Sequence, residues 1–126
     1  HSGLKKQYLN CDDIWDDIPK LRTFAERISP EDKEFKHLHP AQLVKHILGM
    51  KRQFGRGGFR LLYLWYDVLG EQGKCHQDEV SEFAKVAAED GIKFHSLTYQ
   101  DLIVKLAKHC RSDHQNYVQY LTERYL

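Results

Sequence analysis

The sequence has few cysteines and no long hydrophobic run. Its 126 residues include only three cysteines, Cys11, Cys75 and Cys110, and none forms a C-x-x-C pair. Three widely spaced thiols argue against a disulfide framework or a zinc ribbon and favour free cysteines in a reducing compartment. No segment approaches the roughly 18 consecutive apolar residues that a membrane span needs. We therefore expect a cytoplasmic domain without a membrane partner.

Acidic residues are absent from residues 35–66, although the net charge of the whole chain is only +1. This segment also contains His37, His39 and His46. A block of cations without a carboxylate attracts polyanions and can position phosphates without reading sequence. The alternative is a solvated basic face with no partner. The cations of the block are Lys36, Lys45, Lys51, Arg52, Arg56 and Arg60.

Two common kinds of catalytic motif are absent. There is no G-x-S-x-G elbow, and no cysteine has an evident activating neighbour. The glycine-rich stretch GRGGFR, residues 55–60, leads from a predicted helix into a predicted strand. A nucleotide-binding loop needs the opposite order, because amides at a helix N-terminus must face the phosphates. We therefore do not interpret this stretch as a nucleotide site.

The sequence contains no convincing pattern of metal ligands. The three histidines of the basic block lack a cysteine or carboxylate at zinc-site spacing, so surface roles are favoured. Glu31-x-Lys33 and Glu34-x-Lys36 match the acid-x-Lys core of a Mg²⁺-dependent nuclease motif. Such residues need a rigid apolar strand, whereas this stretch is polar and bracketed by prolines. The sequence thus leaves the metal ligands unknown.

Hydrophobic spacing predicts alternating helices and strands. Residues 1–16 look irregular, and Asp16 or Asp17 is expected to cap a helix that ends at Ser29-Pro30. A loop at 31–39 precedes an amphipathic helix from Pro40 to about Phe54, whose polar stripe contains no carboxylate. A strand at 59–68 is expected to be buried on both faces, and a helix at 76–90 follows it with Glu79 in its first turn. A second strand is predicted at 92–97. Thr98 and Asp101 are expected to open the next helix, which carries Cys110 on its apolar stripe, and Asp113 is expected to cap a last helix.

A strand, a helix and a second strand joined by short turns form a βαβ unit. Its strands should be parallel and its crossover right-handed. We predict one α/β domain over residues 1–126, with a small sheet flanked by helices. Since sheets usually contain about four to six strands, we expect this chain to begin partway through its fold.

Three segments carry a resemblance to a known family. They are YLNCDDIWDDIPKLR, HPAQLVKHILGMKRQFGRGGFRLLYLWYDVLG and HQDEVSEFAKVAAEDGIKFHSLTYQDLI, and together they span about Tyr8 to Leu106. The sequence resembles the C-terminal half of bacterial restriction endonuclease-like proteins in the PD-(D/E)XK nuclease superfamily. The resemblance implies a restriction-endonuclease-like core and Mg²⁺-dependent hydrolysis of DNA phosphodiesters.

The resemblance also implies which residues act. The helix from Pro40 would turn Gln42 and Lys45, with His46, toward the catalytic site as auxiliary residues. The acid and the E-x-K strand are expected upstream of Tyr8, so the Mg²⁺ ligands would lie outside this chain. DNA phosphates would be bound by Lys45, His46, Lys51, Arg52, Arg56 and Arg60.

Other interpretations stay open. The chain could instead be a non-catalytic module that binds nucleic acid or an acidic protein, or a structural subdomain whose charges are only solvated. The sequence decides neither whether this chain is active alone nor its oligomeric state.

Overall fold

The structure is a computed structural model that describes residues 1–109. The predicted cap at Asp113 and the predicted place of Cys110 lie outside the described residues. The elements are α1 (Lys6–Leu9), a 3₁₀ turn (Asp12–Trp15), α2 (Pro19–Arg27), α3 (Pro40–Phe54), β1 (Arg60–Trp65), α4 (Gly70–Glu89), β2 (Lys93–Thr98) and α5 (Tyr99–His109).

The two strands pair in parallel, as predicted, with α4 as the crossover between them. Arg60 lies opposite Lys93 at one end of the pairing, and Trp65 lies opposite Thr98 at the other. In residues 1–109 the sheet has these two strands only. The protein is thus a mixed α/β domain with a small parallel sheet.

Only one face of β1 packs against the core. Successive residues of a strand point to opposite faces, and Leu61, Tyr63 and Trp65 point inward. Leu62, on the other face, is 54% exposed. The prediction that this strand is buried on both faces is therefore wrong.

The core joins three helices to the inner face of the sheet. Phe83 of α4 is fully buried, and its ring centre lies 5.6 Å from that of Phe24 in α2 and 5.0 Å from that of Phe94 in β2. Both contacts have edge-to-face geometry, which aromatic pairs favour. Leu43, Val44 and Ile47 bring the apolar side of α3 into the same core.

The helices differ from the predictions at three places, and the first is the region 1–16, which was expected to be irregular but contains α1 and the 3₁₀ turn. Helix α4 begins at Gly70, so Glu79 is buried in the middle of the helix and does not lie in its first turn.

Helix α2 has no side-chain cap of its own at Ile18, and neither Asp16 nor Asp17 caps it. Asp90 caps it from another part of the chain instead, because its carboxylate accepts the backbone N–H groups of Lys20 and Leu21 at 3.2 and 2.6 Å. The cap of α5 is as predicted, since the N–H of Asp101 donates to Thr98 Oγ1.

The buried carboxylate of Glu79 holds the segment that leads into α3. Its Oε2 accepts the N–H of Lys36 at 2.6 Å, and its Oε1 accepts those of His37 and Leu38 at 2.9 and 3.1 Å. A buried carboxylate needs such donors, because its desolvation is otherwise costly. Glu79 thereby fixes where α3 starts relative to α4.

No helix in residues 1–109 has both the length and the hydrophobicity that a membrane crossing needs.

Candidate nucleic-acid interface

A shallow depression of about 460 Å³ lies along the polar side of α3. The helix turns its apolar residues into the core, so the residues between them reach solvent. None of the described residues that line the depression is acidic, which agrees with the predicted polar stripe. Its lining residues are Gln42, Lys45, His46, Gly49, Met50 and Gln53.

Gln42, Lys45 and His46 form one polar group at the start of this depression. All three side chains are exposed, and residues three or four apart on a helix are neighbours. The Lys45 ammonium lies 5.9 Å from the ring centre of Tyr8, which is within cation–π range, and the side chain remains exposed. The predicted auxiliary pair, Gln42 and Lys45, therefore shares one accessible surface.

Gly49 keeps the middle of the depression open. A Cβ atom added at this position would have no neighbouring atom within 4 Å. Glycine in a helix interior destabilises the helix by roughly 0.5–1 kcal/mol relative to alanine. Gly49 is therefore not required by packing, and its effect is to leave space between Lys45 and Gln53.

Lys51 belongs to an internal ion-pair cluster rather than to this surface. Its ammonium lies 2.7 Å from Asp17 Oδ1, 3.3 Å from Asp16 Oδ1 and 3.1 Å from the carbonyl oxygen of Ile14. Its side chain is only 12% exposed. Burial acts to lower the pKa of Lys51, but its interactions with Asp17 and Asp16 outweigh burial and raise that pKa. Lys51 thus ties α3 to the segment before α2.

The other three cations of the predicted set differ in their partners. Arg56 donates from Nη1 to the carbonyl oxygen of Asp17 at 3.1 Å, and its guanidinium lies beside Gly91. Arg52 and Arg60 are exposed, and neither has an ion pair within residues 1–109. The predicted cations therefore separate into Lys45 and His46 at the depression on α3, Lys51 and Arg56 with contacts inside the molecule, and two exposed arginines, Arg52 and Arg60, without an ion pair in the described part of the chain.

The two acid-x-Lys patterns lie in irregular backbone rather than in a strand. Glu34 pairs with Arg27 at 2.8 Å, and Glu31 takes part in an isolated bridge with Ser2. Asp32, between the two patterns, is buried and accepts the N–H of Phe35. Over residues 1–109, no group of three or more His, Cys, Asp and Glu side chains is arranged to hold a metal ion.

The histidines of the basic block have separate neighbours. His39 contacts His1, with ring centres 3.6 Å apart and the ring planes tilted by 41°, whereas His46 lines the depression on α3. His37 stacks on His76 of α4 at 5.6 Å.

His76 is the centre of a cluster that sequence reasoning missed. Its ring lies 4.4 Å from that of Trp65, and its Nε2 is hydrogen-bonded to the Tyr63 hydroxyl at 2.9 Å. Burial and the neighbouring His37 lower the pKa of His76, and these effects outweigh the opposing charges of Glu79 and Asp67. Burial, with the charge of Glu79, raises the pKa of Tyr63. Both groups are therefore neutral at pH 7. In the sequence, only Tyr63 and Trp65 of the predicted strand at 59–68 indicated an aromatic cluster.

A second depression, also about 460 Å³, lies at the carboxyl ends of the two strands. Gln100 fixes this end, because its amide bonds to both the N–H and the carbonyl of Asp67. Asp67 and Asp101 line the depression, so it has the wrong charge for a phosphate. Parallel sheets commonly bind ligands at this end, but in this chain the basic surface lies elsewhere, on α3.

The chain matches no known protein-family model, no curated protein and no solved structure.

Proposed function

We propose that this chain is the DNA-binding portion of a restriction-endonuclease-like protein and that it contacts DNA phosphates through the α3 surface. This surface consists of Gln42, Lys45, His46, Gly49 and Gln53. The observation that carries the proposal is its composition: cationic, amide and imidazole donors surround a shallow depression, and within residues 1–109 no carboxylate lines it. Side chains of these types are the usual donors to phosphate oxygens.

The intramolecular partners of two cations reduce the number of predicted phosphate contacts. Lys51 already has two carboxylate partners and a carbonyl, so moving it to a phosphate would leave Asp17 without its cation. Arg56 is likewise engaged with the Asp17 backbone. We therefore assign the phosphate contacts to Lys45 and His46 of the α3 surface, with Gln42 and Gln53 as neutral donors, and to Arg52, which is exposed on the same helix outside the depression.

The length of the surface suits several phosphates. Gln42 and Gln53 are eleven residues apart on α3, which corresponds to roughly 16 Å at 1.5 Å per residue. Phosphates of one DNA strand follow each other about every 3.4 Å along the duplex axis. The α3 surface is thus long enough to follow a backbone rather than to hold one isolated anion.

Mg²⁺-dependent phosphodiester hydrolysis belongs to this proposal only for the complete protein. The described carboxylates do not fit a magnesium site, because they are dispersed or used as structural acceptors. We assign no catalytic step to them. Gln42 and Lys45 are assigned to phosphate positioning.

The test is the salt dependence of DNA affinity. Fluorescence anisotropy with a labelled duplex should show tight binding at low salt, with an affinity that falls steeply as salt rises. The double variant K45Q/H46Q should lose affinity, and the salt slope should decrease by about 1. K85Q, which removes an exposed lysine of α4, is the matched control and should bind as the wild type does.

Equal affinity for the wild type and K45Q/H46Q would contradict the assignment to α3. Binding of an acidic protein in place of DNA, with the same sensitivity to K45Q/H46Q, would contradict the choice of ligand.

A further inference from the structure

Two cationic residues lie side by side on neighbouring strands, at the start of β1 and of β2. Arg60 and Lys93 are register partners in the parallel pairing, so their side chains leave the same face of the sheet. Both are exposed, and neither has a carboxylate partner within residues 1–109. Lys93 lies outside the acid-free block, and so charge patterning did not reveal this pair.

A like-charge pair in this position opposes folding. Directly opposed side chains on neighbouring strands interact, and like charges there are destabilising. A carboxylate at either position would remove the repulsion and add an attraction. An anion placed between the two cations would likewise relieve the repulsion.

The next pair on the same face has a different chemistry. Leu62 lies opposite His95, and both side chains are exposed. An apolar side chain next to an exposed imidazole is suited to the face of a nucleobase, because unpaired bases stack on histidine as well as on larger aromatic rings. The two pairs together thus offer a cation site for a phosphate and, one step along the strands, a surface for a base.

We infer that the open face of the sheet binds an unpaired nucleotide of a nucleic-acid strand. Arg60 and Lys93 bridge one phosphate, and Leu62 and His95 contact the adjoining base. A duplex would present only its phosphate here, since its bases are stacked inside the helix. This inference rests on the proposed function, because it extends nucleic-acid binding from α3 to the sheet.

The experiment compares a labelled single strand with the corresponding duplex by anisotropy. In K93E the cation pair becomes an opposite-charge pair, so the urea midpoint should rise while affinity for the single strand falls about tenfold. A stability gain with an affinity loss separates the binding role from a folding defect. R60Q/K93Q should lower the salt slope for the single strand by about 1.

His95 is tested for the base contact. H95A should lower affinity for the single strand several-fold and leave duplex affinity and the salt slope unchanged. H95F keeps an aromatic ring and should retain the affinity. Equal losses for both ligands in H95A would overturn the base contact.

The variants also separate this inference from the proposed function. If R60Q/K93Q and K93E keep wild-type affinity while K45Q/H46Q loses it, the sheet site is wrong and the α3 assignment stands. If all of these variants bind as the wild type does, both are wrong.

Discussion

The ammonium of Lys51 lies 2.7 Å from Asp17 Oδ1, and this ion pair joins the last turn of α3 to the segment before α2. The contact removes one cation of the basic block from the surface and gives it a structural role. Charge counting along the sequence treats all six cations of the block alike. The structure separates them by their partners, and this separation determines which substitutions test binding and which test folding.

Replacement of Lys51 should reduce stability without reducing DNA affinity. K51M keeps most of the apolar stem but leaves Asp16 and Asp17 without their cation, and we expect a loss of about 1 kcal/mol in the free energy of unfolding. Urea denaturation measures the loss, and anisotropy measures the affinity. K85Q is the control for stability. A tenfold loss of affinity in folded K51M would show that Lys51 contacts the ligand.

The same ion pair should be sensitive to acid. Burial acts to raise the pKa of Asp17, but its interactions with Lys51 outweigh burial, so this pKa lies below its ordinary value of 3.8. The contribution of Asp17 to stability is therefore present above pH 3.8 and is lost as the pH falls through the lower folded-state pKa. D17N should show a smaller loss of stability in this acid range than the wild type. Parallel curves for the two proteins would contradict the coupling.

Glu79 should be among the more sensitive polar positions outside the binding surface. E79Q replaces one acceptor oxygen by an NH₂ group that faces backbone donors from residues 36–38. We expect a loss of about 1–3 kcal/mol in the free energy of unfolding, because buried donors are left unpaired. E89Q, at an exposed position of the same helix, should be neutral. Hydrogen exchange at residues 36–38 should accelerate in E79Q, and unchanged exchange there would count against the anchor.

Protonation of His76 should lower the free energy of unfolding as the pH falls below neutral. Its pKa in the folded state lies below the ordinary value of 6.5, because burial and His37 disfavour the imidazolium. The unfolded chain therefore binds a proton at His76 before the folded chain does, so stability decreases as the pH falls below 6.5. H76F keeps a ring against Trp65 and should flatten the dependence of the urea midpoint between about pH 7 and pH 5. A wild-type slope in H76F would contradict this assignment.

Local patterns predicted the elements that surround the α3 surface. Pro40 and the glycines after Phe54 marked the ends of α3 correctly, and helical spacing placed Leu43 and Ile47 inside. The apolar run after Gly58 and the short turns around the next helix predicted the parallel βαβ unit. These features depend on residues close together in the chain, so periodicity and turn chemistry were sufficient.

Long-range contacts could not be predicted in the same way. The cap of α2 comes from Asp90, some seventy residues later, and Glu79 anchors a segment more than forty residues earlier. No local pattern identified Asp16 and Asp17 as the partners of Lys51. The pairing of Arg60 with Lys93 follows from strand register, which no local pattern specifies.

The most direct test of the central claim is a change at Gly49, where an added Cβ atom would have no neighbour within 4 Å. G49E places a carboxylate in the middle of the α3 surface without removing any contact of the folded protein. Its urea midpoint should equal or exceed that of the wild type, since a glycine leaves the helix. Its affinity for duplex DNA should fall at least tenfold, whereas G49Q, the neutral isostere, should bind nearly as the wild type does. Wild-type affinity in folded G49E would contradict the claim that DNA phosphates lie along α3.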